Sequence, residues 1–168
     1  LRLEHYFGID SKEDNNHLST NFWTASFSSE RLISVYPRFS FLAGITAGIT
    51  EAQTIDPIHY FYLGGENPYE PRMFSFPGMP LMGTSGLNLF ALKFGIQAEP
   101  WHDVFLFFRM GATELKPQIN ELWKNPDFKY GIETGAGTRT IIGPVYLLIG
   151  SNTITRKMES RLNIGFRF

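Results

Sequence analysis

Cysteine is absent from the 168 residues, so neither a disulfide nor a thiolate metal site contributes to this fold. That absence leaves the compartment open. Charge excludes more: 15 Lys and Arg against 16 Asp and Glu leave a formal -1, with no basic field to attract a nucleic acid. No stretch approaches the ~20 consecutive apolar residues of a membrane helix, although 43% of the chain is hydrophobic. Low-complexity tracts and internal repeats are missing as well. What the chain has in excess is aromatic side chains and glycine, with 16 Phe, 7 Tyr, 3 Trp and 16 Gly. The phenylalanines are spread out, so their period carries the information.

That period is two. In "NLFALKFGIQAE", Phe90, Leu92, Phe94, Ile96 and Ala98 share one face of an extended strand, with Ala91, Lys93, Gly95, Gln97 and Glu99 on the other. Val104, Leu106, Phe108 and Met110 likewise oppose Phe105, Phe107, Arg109 and Gly111. Tyr130, Ile132 and Thr134 oppose Lys129, Gly131, Glu133 and Gly135, and Arg139 continues the second set. "RFSFLAGITAGIT" alternates in the same way. The last ten residues, "ESRLNIGFRF", place Leu162, Ile164, Phe166 and Phe168 opposite Arg161, Asn163, Gly165 and Arg167. Eight strands are expected, at roughly 1–9, 17–33, 38–52, 86–99, 104–114, 128–141, 145–154 and 159–168. The stretch 57–64 alternates weakly and reads as part of a long loop at about 53–85. The second strand has ambiguous parity, which suggests a bulge.

The connections alternate in length. "VYPR", "PWHD" and "IGP" are short, whereas "DSKEDNN", the 53–85 loop, "KPQINELWKNPD" and "NTITRKM" are longer and polar or rich in Pro and Gly. Short turns at one end, long loops at the other and strands of about ten residues are the pattern of an outer-membrane barrel. The expected fold class is therefore all-β, an antiparallel transmembrane β-barrel occupying 1–168 as one domain, in the bacterial outer membrane. Its large apolar side chains would face lipid. Tyr36 and Trp101, in or beside short turns, would join an interfacial girdle. Lys93, Arg109, Glu133, Arg139, Arg161 and Arg167 share the other parity and would face the lumen, since a charge on the lipid face costs ~2–4 kcal/mol near the midplane. Arg109 and Glu133 lie at similar depth on either side of one loop and are expected to pair across strands. A soluble sandwich or lipocalin-like barrel would show the same alternation with Phe inward. Loop asymmetry, strand length and the aromatic terminus favour the membrane.

Chemistry-bearing motifs are few. "MGTSGL" is no nucleophile elbow, because Ser85 is followed by Gly86 and Leu87 rather than by Gly-x-Ser-x-Gly spacing. His5, His17, His59 and His102 lack metal-ligand spacing. "YLGG" is no phosphate loop, and its Gly64 and Gly65 are expected to let the backbone fold tightly against a barrel wall. No catalytic residue, metal or cofactor is assigned, and the chain itself is not expected to be an enzyme. It opens directly on a strand without a leader, so it is expected to be processed or to belong to a longer chain.

Over about residues 39–168 the order of elements resembles the C-terminal part of the bacterial surface antigen superfamily, the outer-membrane assembly and translocation barrels. "FYLGGENPYEP" is similar to the aromatic-x-Gly-Gly element that opens that family's long loop after the eleventh of sixteen strands. "GAGTRTIIGPVYLLIG" is similar to its glycine-rich strand, Gly-Pro turn and following strand. "NIGFRF", with Phe166 and Phe168, looks like the signal read by the barrel assembly machinery. The resemblance implies that the chain is eight strands, the C-terminal half of a sixteen-strand barrel. Two departures stand out. The family's loop carries Arg-Gly-aromatic, but here Arg72 is followed by Met73. The strand expected to hold its acidic partner carries Arg109 instead. These changes favour the barrels fused behind patatin-like phospholipases, which anchor or export an attached domain, over insertion or translocation pores. A complete eight-strand barrel acting alone as adhesin, structural protein or enzyme is the third alternative. Expected partners are outer-membrane lipid, the assembly machinery and other chains of an outer-membrane complex, with no nucleic acid.

Overall fold

The computed structural model describes residues 2–6, 22–51, 56–65, 72–124, 126–141 and 143–165, with backbone alone at 2–6 and 123. The chain begins with β1 (Arg2–Tyr6), β2 (Phe22–Tyr36) and β3 (Phe39–Glu51). A long loop follows, holding a 3-10 turn at Pro57–His59 and three short strands, β4 (Phe61–Leu63), β5 (Met73–Phe74) and β6 (Thr84–Gly86). The main strands resume as β7 (Asn88–Trp101), β8 (Val104–Lys116), β9 (Lys129–Thr140), β10 (Gly143–Asn152) and β11 (Met158–Ile164). One helical turn, α1 (Glu121–Lys124), lies between β8 and β9. No helix among the described residues is long and apolar enough to cross a membrane, which says nothing about strands.

The fold is all-β. Eight strands form one antiparallel sheet in the order β1-β2-β3-β7-β8-β9-β10-β11, and the loop strands form a second sheet, β5-β4-β6. Neighbours in the large sheet are sequential apart from the excursion between β3 and β7, so every other pair is a hairpin. At the short-turn end the chain reverses through left-handed residues at Arg38 (φ 69°) and Asp103 (φ 61°), as tight hairpins require. β2 slips register against β3 between Ser34 and Tyr36, the bulge that its ambiguous parity suggests. Among the described residues β1 and β11 form no ladder with each other, so the sheet is open there. The strand expected to begin at 86 joins the large sheet only at Asn88, because Thr84–Gly86 pairs with β4 instead.

The two faces of the large sheet differ. On one face lies the long loop, and between loop and sheet sits the apolar core: Phe61, Leu63, Phe74, Phe76 and Met79 of the loop against Leu89 and Ala91 of β7. Burying each large side chain stabilises the docked loop by roughly 1.5–3 kcal/mol relative to exposure. The opposite face is bare. Phe27, Ile45, Phe94, Ile96, Leu106, Phe108, Met110, Ile132, Leu147, Ile149, Leu162 and Ile164 are all exposed on it. Phe90, Leu92 and Val104 share their parity and are half-buried. Among the described residues, exposed large hydrophobic side chains outnumber the buried ones, inverting the arrangement of a soluble sheet.

Candidate functional site

The loop is a compact arm rather than a loose excursion. Gly64 (φ 132°) and Gly65 (φ 72°) bend the chain where a side chain would not fit: a Cβ on Gly64 would lie 2.1 Å from the Pro80 carbonyl oxygen. Backbone N–H groups of Tyr62, Gly64 and Gly65 donate to the carbonyls of Arg72, Phe74 and Met79 at 2.8 to 2.9 Å. The tip, Phe76-Pro77-Gly78, then reaches the face of the large sheet.

That tip has a seat made for it. Gly111 on β8 lies opposite Gly131 on β9, and Gly150 on β10 lies opposite Glu133, one inward position further along β9. A Cβ on Gly111 would lie 2.8 Å from the Phe76 ring, and one on Gly131 would lie 2.2 Å from the Pro77 carbonyl oxygen. The loop's Phe76 ring and Pro77 backbone both rest directly on the wall, so a side chain at either glycine displaces the tip.

Beside the glycines stands Glu133, only 2% exposed. Arg109 is its direct partner across strands, with Nη1 to Oε1 at 3.4 Å. Arg161 of β11 reaches its Oε2 from beyond β10, where Gly150, opposite Glu133, has no side chain to intervene. The loop joins the same group, because the Gly78 N–H donates to Glu133 Oε2 at 3.3 Å. Asn152 completes the joint by donating through Nδ2 to the Gly78 carbonyl at 2.7 Å. A buried carboxylate is stable only when paired and hydrogen-bonded, and here two guanidiniums and a peptide N–H supply both. Arg109 also lies over the Phe107 ring at 4.6 Å.

A second tie lies alongside. Lys93 Nζ donates to Ser75 Oγ of the loop at 2.6 Å and pairs with Glu30 of β2. Between the ties is a cavity of about 40 Å³, lined by Glu30, Ser75, Lys93, Arg109 and Glu133, room for roughly one or two waters. The assembly is a mechanical joint that fastens a loop across a sheet face.

Four of the charged residues singled out by parity therefore meet the loop or one another: Lys93, Arg109, Glu133 and Arg161. Arg139 has the same parity but sits at the short-turn end, where it pairs with Asp103 at 3.7 Å and covers the Phe105 ring at 5.0 Å. Arg72 Nη1 lies 2.8 Å from His59 Nδ1 within the loop. Phe166, Arg167 and Phe168 lie outside the described residues. Glu99, His102 and Asp103 bring three ligand-type atoms within 4.8 Å at the β7–β8 turn, a cluster organised by the Asp103 N–H donating to Glu99 Oε1 at 3.0 Å.

Glu30, Ser75, Gly78 and Asn152 belong to the site without a motif to mark them. The one available signal is "FPGMP", a Pro-Gly turn inside an apolar stretch at 76–80. No protein-family model matches the sequence, and no curated protein matches it.

Proposed function

We propose that this chain is part of an outer-membrane β-barrel, its eight strands the C-terminal half of a sixteen-strand barrel that anchors or exports an attached domain of the patatin-like phospholipase kind. The bare apolar face carries this reading. In water such a face would be hidden in a core, and its side chains are instead exposed together over the width of the sheet. Bilayer hydrocarbon is a solvent in which that exposure is favourable, provided that every backbone group is paired within a closed sheet. The open sheet fits a barrel completed by further strands. Tyr36 and Trp101, exposed at the short-turn end, suit an interfacial girdle.

In this reading the loop-bearing face lines the lumen, and the loop is a partial plug pinned by Glu133 and Lys93. Among the described residues the plug's contact to Glu133 is the peptide N–H of Gly78, and the loop's Arg72 lies beside His59. That departure from the assembly and translocation barrels favours an anchor over an insertion pore. The test is fractionation of cells producing the full-length protein, followed by electrophoresis with and without heating. Recovery in the outer-membrane fraction as a heat-modifiable band is expected. A monomer in the soluble fraction would overturn the reading.

A further inference from the structure

At the loop end of the bare face, β9 and β10 border a groove of about 690 Å³. Its wall is Phe128, Tyr130 and Ile132, and Arg156 stands at its rim. Tyr130 and Ile132 are 55% and 51% exposed, continuous with the bare face through Ile149 and Met158 on the neighbouring strands. Thr153 closes the floor by hydrogen-bonding Tyr130 through both N–H and hydroxyl. The rim is basic. Lys129 lines the groove too, but its Nζ donates to Asp127 Oδ2 at 2.7 Å, and this hydrogen bond holds the Asp127 carboxyl below its usual range. Asp127 is thereby satisfied within its own pair. Arg156 is exposed, enters its turn with φ 55°, and has its N–H fixed to the Asn152 carbonyl at 3.0 Å. Its guanidinium forms no ion pair among the described residues, and exposed Lys157 follows it.

We infer that this groove binds the phosphate-bearing headgroup of an anionic membrane lipid, with the lipid's acyl chain lying on Tyr130 and Ile132. The inference rests on the proposal that the bare face meets lipid. An amphiphile needs an apolar wall and an adjacent cation at headgroup depth, and the groove supplies the two in contact. Guanidinium suits phosphate better than ammonium does, because its fork donates two parallel hydrogen bonds to one anion. Backbone fixation of Arg156 through Asn152 reduces the entropy lost on binding, and Asn152 itself is held by Gly78 of the docked loop.

The experiment uses the full-length protein in bilayers, with native tryptophans replaced by Phe and one Trp introduced, as Tyr130→Trp or, for reference, Phe94→Trp. Quenching by brominated phosphatidylglycerol is compared with quenching by brominated phosphatidylcholine. At position 130 the anionic lipid should be preferred by about fivefold, as expected for one cation at an anionic headgroup. Arg156→Gln should abolish the preference and Arg156→Lys should restore part of it. At position 94 both lipids should quench equally. Equal quenching by both lipids at position 130 would overturn the headgroup site while leaving the membrane reading intact. Displacement of the lipid by inorganic phosphate would overturn it in favour of a free-anion site. Absence of quenching at both positions would overturn the membrane reading, and this inference with it.

Discussion

Gly78 of the loop and Gly150 of β10 meet backbone to backbone: a Cβ placed on Gly150 would lie 2.5 Å from the Cα of Gly78. Gly150→Val should therefore lift the loop tip off the sheet and open the amides around Phe76 and Met79 to hydrogen exchange. Overpacking of this kind costs about 1–3 kcal/mol. Gly44→Ala is the control, because its Cβ would meet Lys93 and Glu30 at ordinary distances of 3.4 to 3.6 Å. Exchange should rise in the loop for Gly150→Val and remain unchanged for Gly44→Ala.

Removing Glu133 should be worse than removing either arginine. Glu133→Ala leaves Arg109 and Arg161 facing each other without their shared anion, and loss of one partner from a buried ion pair costs about 3–5 kcal/mol. Arg109→Ala or Arg161→Ala leaves the carboxylate one guanidinium and the Gly78 N–H, so the loss should be smaller. Urea unfolding of the three variants from bilayers gives the ranking. Equal losses would mean that the three residues do not share one joint.

Asp127 offers a pH test outside the strands. The hydrogen bond and charge of Lys129 lower its carboxyl below the ordinary value. A depressed carboxyl contributes stability above its unfolded pKa and loses it as pH falls through the folded one. The Asp127–Lys129 pair should thus persist from neutrality down to ~5 and be lost only below the usual carboxylate range of ~4. Lys129→Met should move that change upward in pH, measurable by NMR titration of the Asp127 side chain.

Charge on the bare face should be penalised by depth. Met110→Arg, near the middle of β8, should destabilise bilayer folding by about 2–4 kcal/mol, whereas Thr138→Arg, paired with Val104 at the short-turn end, should cost about 0–1 kcal/mol. On a soluble protein both would fall within roughly ±0.5 kcal/mol. Urea titration in vesicles separates the cases.

Much of the fold was legible because the side-chain period of a strand is fixed. Phe94, Leu106 and Phe108 could be assigned to one face before any pairing was known, and the loop between β8 and β9 placed Arg109 opposite Glu133. The second partner of Glu133 was not legible. Arg161 reaches it diagonally across β10, through space that only the absence of a side chain at Gly150 leaves open. The pairing of Glu30 with Lys93 has no sequence signature, because the bulge of β2 obscures the strand's parity. The loop's hold on the sheet has no side-chain signature: Arg72 lies beside His59, and the contact to Glu133 is the peptide N–H of Gly78, which no side-chain pattern reports. The seat glycines were visible only as a composition on one parity, and their meaning comes from the approach of Phe76, Pro77 and Gly78.

No native cysteine among the 168 residues competes with an introduced one, and any cysteine elsewhere in the full-length protein is replaced by serine. Single cysteines at successive positions from 104 to 113 on β8, each carrying a spin label in the bilayer-reconstituted full-length protein, report collision with oxygen, which enriches in hydrocarbon, and with a water-soluble nickel chelate. If the bare face meets lipid, Leu106, Phe108 and Met110 positions should show high oxygen and low nickel accessibility, alternating with low oxygen accessibility at Phe105, Phe107 and Arg109. High nickel accessibility at Leu106, Phe108 and Met110 would contradict the account.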